Sequence, residues 1–255
     1  MVYIIMNISE IEPDSKITLS KFNFNCDDID ESIPKPLPQM LNFFMLICGR
    51  PGSGKTTLIL NLISKRGKMY NKKFDKVFVF SPSLTTMKED PFGELPPEQV
   101  HTDLSEENLE GALSNIRDSG EKVLFIMDDV VNDMKRSAGV QNTLSRMLMN
   151  RRHLAGAGGS TSFIITTQVY NKIPAPIRKT ASHIILFHTR NKKEIDTIFD
   201  EIIIIPQKDF YEILKYCFSN KNKFLYIDIN KSHTTMFHKC FNQLTFNSQN
   251  DSGLI

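Results

Sequence analysis

The sequence predicts an α/β fold in which a mostly parallel sheet is flanked by helices. Three observations predict it. Short apolar blocks recur along the chain and alternate with stretches of helical period. The blocks are apolar on both of their faces, as strands are when helices cover a sheet from both sides. The first of them, "NFFMLICGRPGSGKTTLILNLISK" (Asn42 to Lys65), passes through a glycine-rich loop into a repeat of Leu and Ile.

In chain order, residues 1–40 carry seven acids (Glu10, Glu12, Asp14, Asp27, Asp28, Asp30, Glu31) against three lysines and end in "IPKPLPQM". They read as an acidic, extended lead-in outside the core. Residues 41–230 read as one domain. Its strands are "FFMLIC" (Phe43 to Cys48), "KVFVFS" (Lys76 to Ser81), "KVLFIMDD" (Lys122 to Asp129), "SFIITTQ" (Ser162 to Gln168), "HIILFH" (His183 to His188) and "KFLYIDI" (Lys223 to Ile229). After the glycine loop, Leu58, Leu62 and Ile63 share a helical face. An acidic, proline-bearing loop precedes a helix that begins after Ser105, where "SEEN" suits a helix N-terminus. A further helix repeats apolar residues at Leu144, Met147, Leu148 and Leu154 and ends near "AGAGGS". "NKKEIDTIFDEI" and "QKDFYEILKYCF" complete the helices, and residues 231–255 read as a polar C-terminal tail.

A chain of 255 residues, 40% hydrophobic and 24% charged, suits one large domain with a full core. Net charge is only +2, so an acidic polymer would be bound by local patches. Two exist: Lys65, Arg66, Lys68, Lys72, Lys73 and Lys76, and later Lys172, Arg178, Lys179, Arg190, Lys192 and Lys193. The four cysteines (Cys26, Cys48, Cys217, Cys240) form no C-x-x-C pair, which points away from a disulfide framework or structural metal and towards a reducing, intracellular setting. "MVYIIMNISE" lacks the basic start of a secretory signal, and no apolar run approaches the ~18 residues of a membrane span.

Gly49 to Thr56 fits G-x-x-x-x-G-K-[ST]. In that pattern the main-chain N–H groups of Gly49, Arg50, Pro51's neighbours, Gly52, Ser53 and Gly54 curl around phosphates, Lys55 reaches the β- and γ-phosphates, and the Thr56 hydroxyl meets Mg²⁺. Thr57 closes the loop on the first turn of the helix. ATP and Mg²⁺ are therefore the expected cofactors. A nucleotide held there needs a carboxylate at a strand end for the metal and a second group to activate water. "VLFIMDD" supplies both: Asp128 for Mg²⁺ through its water shell, Asp129 to polarise the attacking water. Gln168 closes "SFIITTQ" and reaches the γ-phosphate or the water if its strand lies between those carrying Asp128 and the loop. "NRRH" (Asn150 to His153) offers an arginine to a neighbouring subunit, or only helix-end charges.

This order, GRPGSGKT, an apolar run closing in DD, NRRH, and a strand ending TTQ followed by "VYNKIPAPIRKTASHIILF", resembles the genome-packaging ATPases of large double-stranded DNA viruses, the poxvirus-type branch of the FtsK/HerA P-loop superfamily. The resemblance spans roughly Pro38 to Phe199. It implies an additional-strand, RecA-like P-loop NTPase core and assembly into a homo-oligomeric ring. It also implies ATP-driven movement of double-stranded DNA into a capsid, docking on a capsid or inner-membrane protein, and residence in the host cytoplasm and virion. By position, Lys55 and Thr56 match the family's phosphate and Mg²⁺ residues, Asp128 the Walker B acid, Asp129 the catalytic acid and Gln168 the sensor. Many superfamily members carry Glu where Asp129 stands, which shortens the reach of that carboxylate. The family arginine precedes the histidine, which favours Arg152 as a finger, with Arg151 and Arg50 as rivals. The competing classes are a DNA pump or helicase on the same core, a nucleoside or nucleotide kinase, and a non-catalytic nucleotide-stabilised scaffold. The kinase lacks its arginine-rich lid here: "NKIPAPIRK" stands in that place.

Overall fold

The computed structural model describes residues 28–64, 69–86, 91–220 and 223–246. They form one nine-stranded sheet with helices on both faces. Strand β1 (Phe44–Cys48) feeds the glycine loop and helix α1 (Lys55–Ile63). There follow β2 (Lys76–Phe80), the short β3 (Val100–His101), α2 (Glu106–Ile116), β4 (Lys122–Met127), α3 (Val131–Arg136), α4 (Ala138–Met149) and β5 (Ser160–Thr167). The chain continues through α5 (Ala175–Arg178), β6 (His183–Phe187), α6 (Lys192–Ile202), α7 (Gln207–Cys217), β7 (Phe224–Asp228), β8 (Phe237–Lys239) and β9 (Asn242–Gln243).

The spatial order is β3-β2-β4-β5-β1-β6-β7-β8-β9. Pairings from β3 through β6 are parallel, and those from β6 to β9 are antiparallel. β5 is thus inserted between β4 and β1, and the loops after all three open on one edge of the sheet, where ligands of parallel sheets collect.

All five residues of β1 are buried because successive side chains enter opposite cores. Phe44, Leu46 and Cys48 join one, Met45 and Ile47 the other. In the first core Phe78, Phe125 and Phe163 stack across β2, β4 and β5 at 5.2 and 5.1 Å between ring centroids. Burying each such ring contributes about 1.5–3 kcal/mol. Ser105 caps α2 by accepting the N–H of Asn108, and Ser137 caps α4 by accepting that of Val140. In α1 the buried stripe is Ile59 and Leu62, with Leu58 and Ile63 half-buried at its margins. Leu154 lies beyond α4, in the turn, and packs against the first core.

Two expectations are corrected. The lead-in is not wholly outside the core: Ile33 and Leu37 are buried in the second core. The phenols of Tyr70 and Tyr226 donate to the carbonyls of Pro38 and Pro36, at 3.0 and 2.9 Å, so the proline segment is bonded down onto the sheet. The chain after residue 230 is likewise not merely a tail, since β8 and β9 extend the sheet and Phe237 is fully buried. Residues 1–27, with most of the lead-in's acids, and Lys65, Arg66 and Lys68 lie outside the described residues.

Candidate nucleotide-binding site

The loop after β1 turns through Gly52 (φ 74°) and Gly54 (φ 99°), a left-handed region open to glycine at little cost. Gly49 has no room for a side chain: a Cβ there would lie 2.5 Å from Ser53 Oγ and 2.8 Å from Phe187 Cβ. Its N–H donates to the Thr167 carbonyl at 3.0 Å, which fastens the loop to β5. The Lys55 ammonium donates to the carbonyls of Gly49 (2.7 Å) and Arg50 (3.2 Å). Burial lowers its pKa from the ordinary lysine value, while the charges of Asp129 and Asp128 pull it back up. Arg50, Pro51 and Thr57 are exposed around the loop, and Thr56 is half-buried.

Asp128 is buried, and its two oxygens are divided: Oδ2 accepts the Thr56 hydroxyl at 3.1 Å, Oδ1 that of Thr166 at 2.6 Å. Thr166 also accepts the N–H of Asp129 at 3.0 Å. Asp129 adopts φ 58°, unusual for a residue with a side chain. The exposed Gln168 donates its amide to Asp129 Oδ2 at 2.6 Å. The loop lysine, Thr56, both acids and Gln168 therefore converge at the ends of three adjacent strands. Thr166 is a member that sequence reasoning missed, one of five hydroxyl residues in β5.

The donor set fits a nucleotide with Mg²⁺. Ser53 Oγ is buried without a hydrogen-bond partner inside the cradle, two loop residues hold left-handed turns, and the Thr56 hydroxyl is already aligned on a carboxylate. Among the described residues no cluster of His, Cys, Asp and Glu is set to hold a metal by itself, and no helix is long and apolar enough to cross a membrane.

The two arginines of "NRRH" differ. Arg151 is half-buried, and its guanidinium donates to the carbonyls of Asn42 (2.6 Å) and Leu148 (2.8 Å), tying the end of α4 to the start of β1. Desolvation depresses its pKa. Arg152 is exposed. Both precede β5, whose eight residues put them about 26 Å from the phosphate loop's edge of the sheet. A cavity of about 550 Å³ opens at that far edge, lined by Arg151, His183, Asp228 and His238, among others. It is separate from the phosphate loop.

The second basic patch divides in the same way. Arg178 forms an ion pair with Glu201 at 2.5 Å and lies over the Tyr170 ring, whereas Lys172, Lys179, Arg190, Lys192 and Lys193 are exposed. In the first patch Lys73 pairs with Asp30 and Lys76 with Glu121, each at 2.8 Å, and Lys72 is exposed.

Known proteins match this arrangement at two levels. DNA packaging protein OPG160 of Variola virus, and the same protein of Vaccinia virus (strain Western Reserve), are each 30% identical to this chain over 159 residues, 57% of this chain and 53% of theirs. The chain spans about half the length of these curated relatives. Among solved structures, B204, the DNA-packaging ATPase from Sulfolobus turreted icosahedral virus, superposes with a TM-score of 0.55 at 18% identity, covering 80% of this chain and 98% of B204. The B204 of Sulfolobus turreted icosahedral virus 2 in complex with ATP-gammaS gives 0.53 at 19%, covering 79% and 98%. At such identities the likeness speaks for a shared fold, here that of the P-loop NTPases. The profile of the poxvirus A32 protein family matches residues 37–243, so that stretch takes in every strand and the whole nucleotide site, and the chain belongs to that family.

Proposed function

We propose that this chain is the ATP-hydrolysing motor that moves double-stranded viral DNA into a preformed capsid. One observation carries the reading. Lys55, Thr56, Asp128, Asp129 and Gln168 are assembled at three adjacent strand ends, in a family whose relatives are named DNA packaging proteins.

Each residue has work in this mechanism. The loop amides and Lys55 hold the phosphates, with Lys55 leaving the Gly49 and Arg50 carbonyls to do so. Thr56 and Asp128 hold Mg²⁺ and its water shell; a bound Mg²⁺ supplies charge neutralisation on the β- and γ-phosphates. Asp129 accepts the proton of the attacking water, and Gln168, released from that carboxylate, contacts the γ-phosphate or orients that water. Arg152 acts on the site of a neighbouring subunit in a ring, because its own site is a strand length away. Arg151 is a weaker candidate, since its guanidinium serves two carbonyls, and Arg50 remains the rival within the loop. The motor docks on a capsid or inner-membrane protein and works at the cytoplasmic assembly site and in the virion.

For the DNA, the cations leaving β5 and β6 are the stronger grip: Lys172, Arg190, Lys192 and Lys193 are exposed on the nucleotide edge, whereas two lysines of the other patch are paired with acids. Phosphates bound this way release counterions, so log K should fall linearly with log[salt] at a slope of about −0.9 per neutralised phosphate. Turnover measured with long duplex DNA at two salt levels tests the reading. Stimulation independent of DNA sequence, reduced by salt and by charge reversal at Lys192 and Lys193, is expected. Stimulation by a small phosphoryl acceptor in place of DNA would identify a kinase instead.

A further inference from the structure

Tyr170 stands two residues after Gln168 and is fully buried. Helix α6 holds it at both ends. Glu194 Oε1 accepts the main-chain N–H of Tyr170 at 2.6 Å, and the Tyr170 phenol donates to Glu201 Oε2 at 2.9 Å. Glu194 and Glu201 are seven residues apart, two turns along one helical face. The second oxygen of Glu194 accepts the Thr189 hydroxyl at 2.7 Å, and Thr189 in turn accepts the N–H of Asn191 at 3.2 Å. One buried carboxylate, 2% exposed, thus joins the loop after β5 to the turn after β6, the turn that carries Arg190, Lys192 and Lys193.

A buried carboxylate is a costly joint, because an apolar side chain of equal volume would pack at least as stably. What it adds is a fixed register between two loops that share no strand pairing. A bound γ-phosphate would offer one of those loops a second arrangement. The Gln168 amide rests on Asp129, and reaching a γ-phosphate means leaving that carboxylate. With the Tyr170 N–H pinned two residues on, such a shift pulls on α6.

We propose that Tyr170, gripped by Glu194 and Glu201, is a positioning residue that joins the nucleotide state read at Gln168 to the exposed cations Arg190, Lys192 and Lys193. Its DNA arm rests on the motor reading above; its nucleotide arm does not.

Hydrogen exchange of the full chain with and without ATP-gammaS tests the nucleotide arm. In the wild type, exchange over residues 188–196 should change by about threefold or more on nucleotide addition, and in Glu194→Met, which keeps the length of the side chain and can accept neither the Tyr170 N–H nor the Thr189 hydroxyl, that response should vanish. An indifferent wild-type segment, or a variant that responds like wild type, overturns the proposal. Tyr170→Phe, which keeps the ring and the main-chain bond and loses the Glu201 contact of the phenol, serves if Glu194→Met fails to fold, and should halve the response or more. For the DNA arm, stimulation of turnover should fall about tenfold in Glu194→Met while basal turnover and DNA affinity stay within about twofold. Parallel loss of basal turnover would mark a merely structural residue and also overturn it. If DNA fails to stimulate the wild type, the motor reading falls, and the exchange experiment still decides the clamp.

Discussion

Asp128 and Asp129 stand side by side in the chain yet face different partners, because the backbone turns between them. The N–H of Asp128 still donates to the Phe80 carbonyl and continues the β4 ladder, whereas Asp129 swings to φ 58°. That conformation costs on the order of 1 kcal/mol for a residue with a Cβ, and the Thr166 hydroxyl and Gln168 amide offset it by bonding Asp129. The division of labour predicts different failures. Asp129→Asn should bind ATP about as wild type does and turn over at least ~10²-fold more slowly, the scale of a lost general base. Asp128→Asn should raise the Mg²⁺ concentration needed for half-maximal turnover. Nucleotide titrations and Mg²⁺ titrations of both variants check this, and identical behaviour would remove the distinction. The acids were legible from sequence because five apolar residues, Val123 to Met127, precede them. Thr166 was not, because in "IITTQ" a threonine reads as an ordinary β-branched strand residue. Only the register that sets Met127 against Ile165 brings it beside Asp128.

At the scale of elements, the apolar blocks between Phe44 and Phe187 announced their strands through composition alone. The proline segment hid its burial, since "IPKPLPQM" has neither a helical nor a strand period, and Ile33 and Leu37 reach the core through the shape of the turn. The two-residue β3 and β9 are too short to leave any periodic signal. At the start of β6, the floor of the sheet contains an ionisable group. His183 stacks on Tyr226 at 5.9 Å, contacts Ser182 Oγ at 2.8 Å and lies 3.4 Å from Asp228 Oδ1. Burial pushes its pKa from 6.5 down to about 4, against the opposing pull of Asp228. The contact with Asp228 is therefore a neutral one at pH 7. Between those two values the unfolded chain holds a proton that the folded chain does not, so stability rises with pH across that window and is lost as pH falls through it. The loss should approach the order of 3 kcal/mol by pH 4. Urea unfolding of wild type and His183→Gln at pH 7 and pH 4.5 checks this. The variant should show a shallower dependence on pH, and equal slopes would assign the acid sensitivity to other groups.

At the scale of the whole molecule, the sheet separates Arg152 from the nucleotide site. The phosphate loop, both acids and Gln168 leave one edge of the sheet, and Arg152 sits at the edge from which β5 starts, about 26 Å away for an eight-residue strand. An exposed guanidinium at that distance has no route to its own γ-phosphate; a second copy of the chain, turned so that one edge meets the other, provides one. Sequence favoured Arg152 through the position of the histidine and kept Arg151 as a rival, because adjacent residues at a helix end share their local signals; the bonds of the Arg151 guanidinium to the Asn42 and Leu148 carbonyls emerge only in the fold. If Arg152 acts in trans, Arg152→Ala subunits keep intact acids and lack a partner's arginine, while Asp129→Asn subunits keep the arginine and lack the base. Each alone should be nearly inactive, with a loss of about 10³-fold or more for the missing finger. Mixed at concentrations that support assembly, they should recover turnover, because an Arg152→Ala site then receives Arg152 from its Asp129→Asn neighbour. The recovery should vary with mixing ratio and peak where unlike neighbours are most frequent. Turnover across a series of ratios measures this directly, and a mixture no more active than its components would move the finger to Arg151 or Arg50, or remove it.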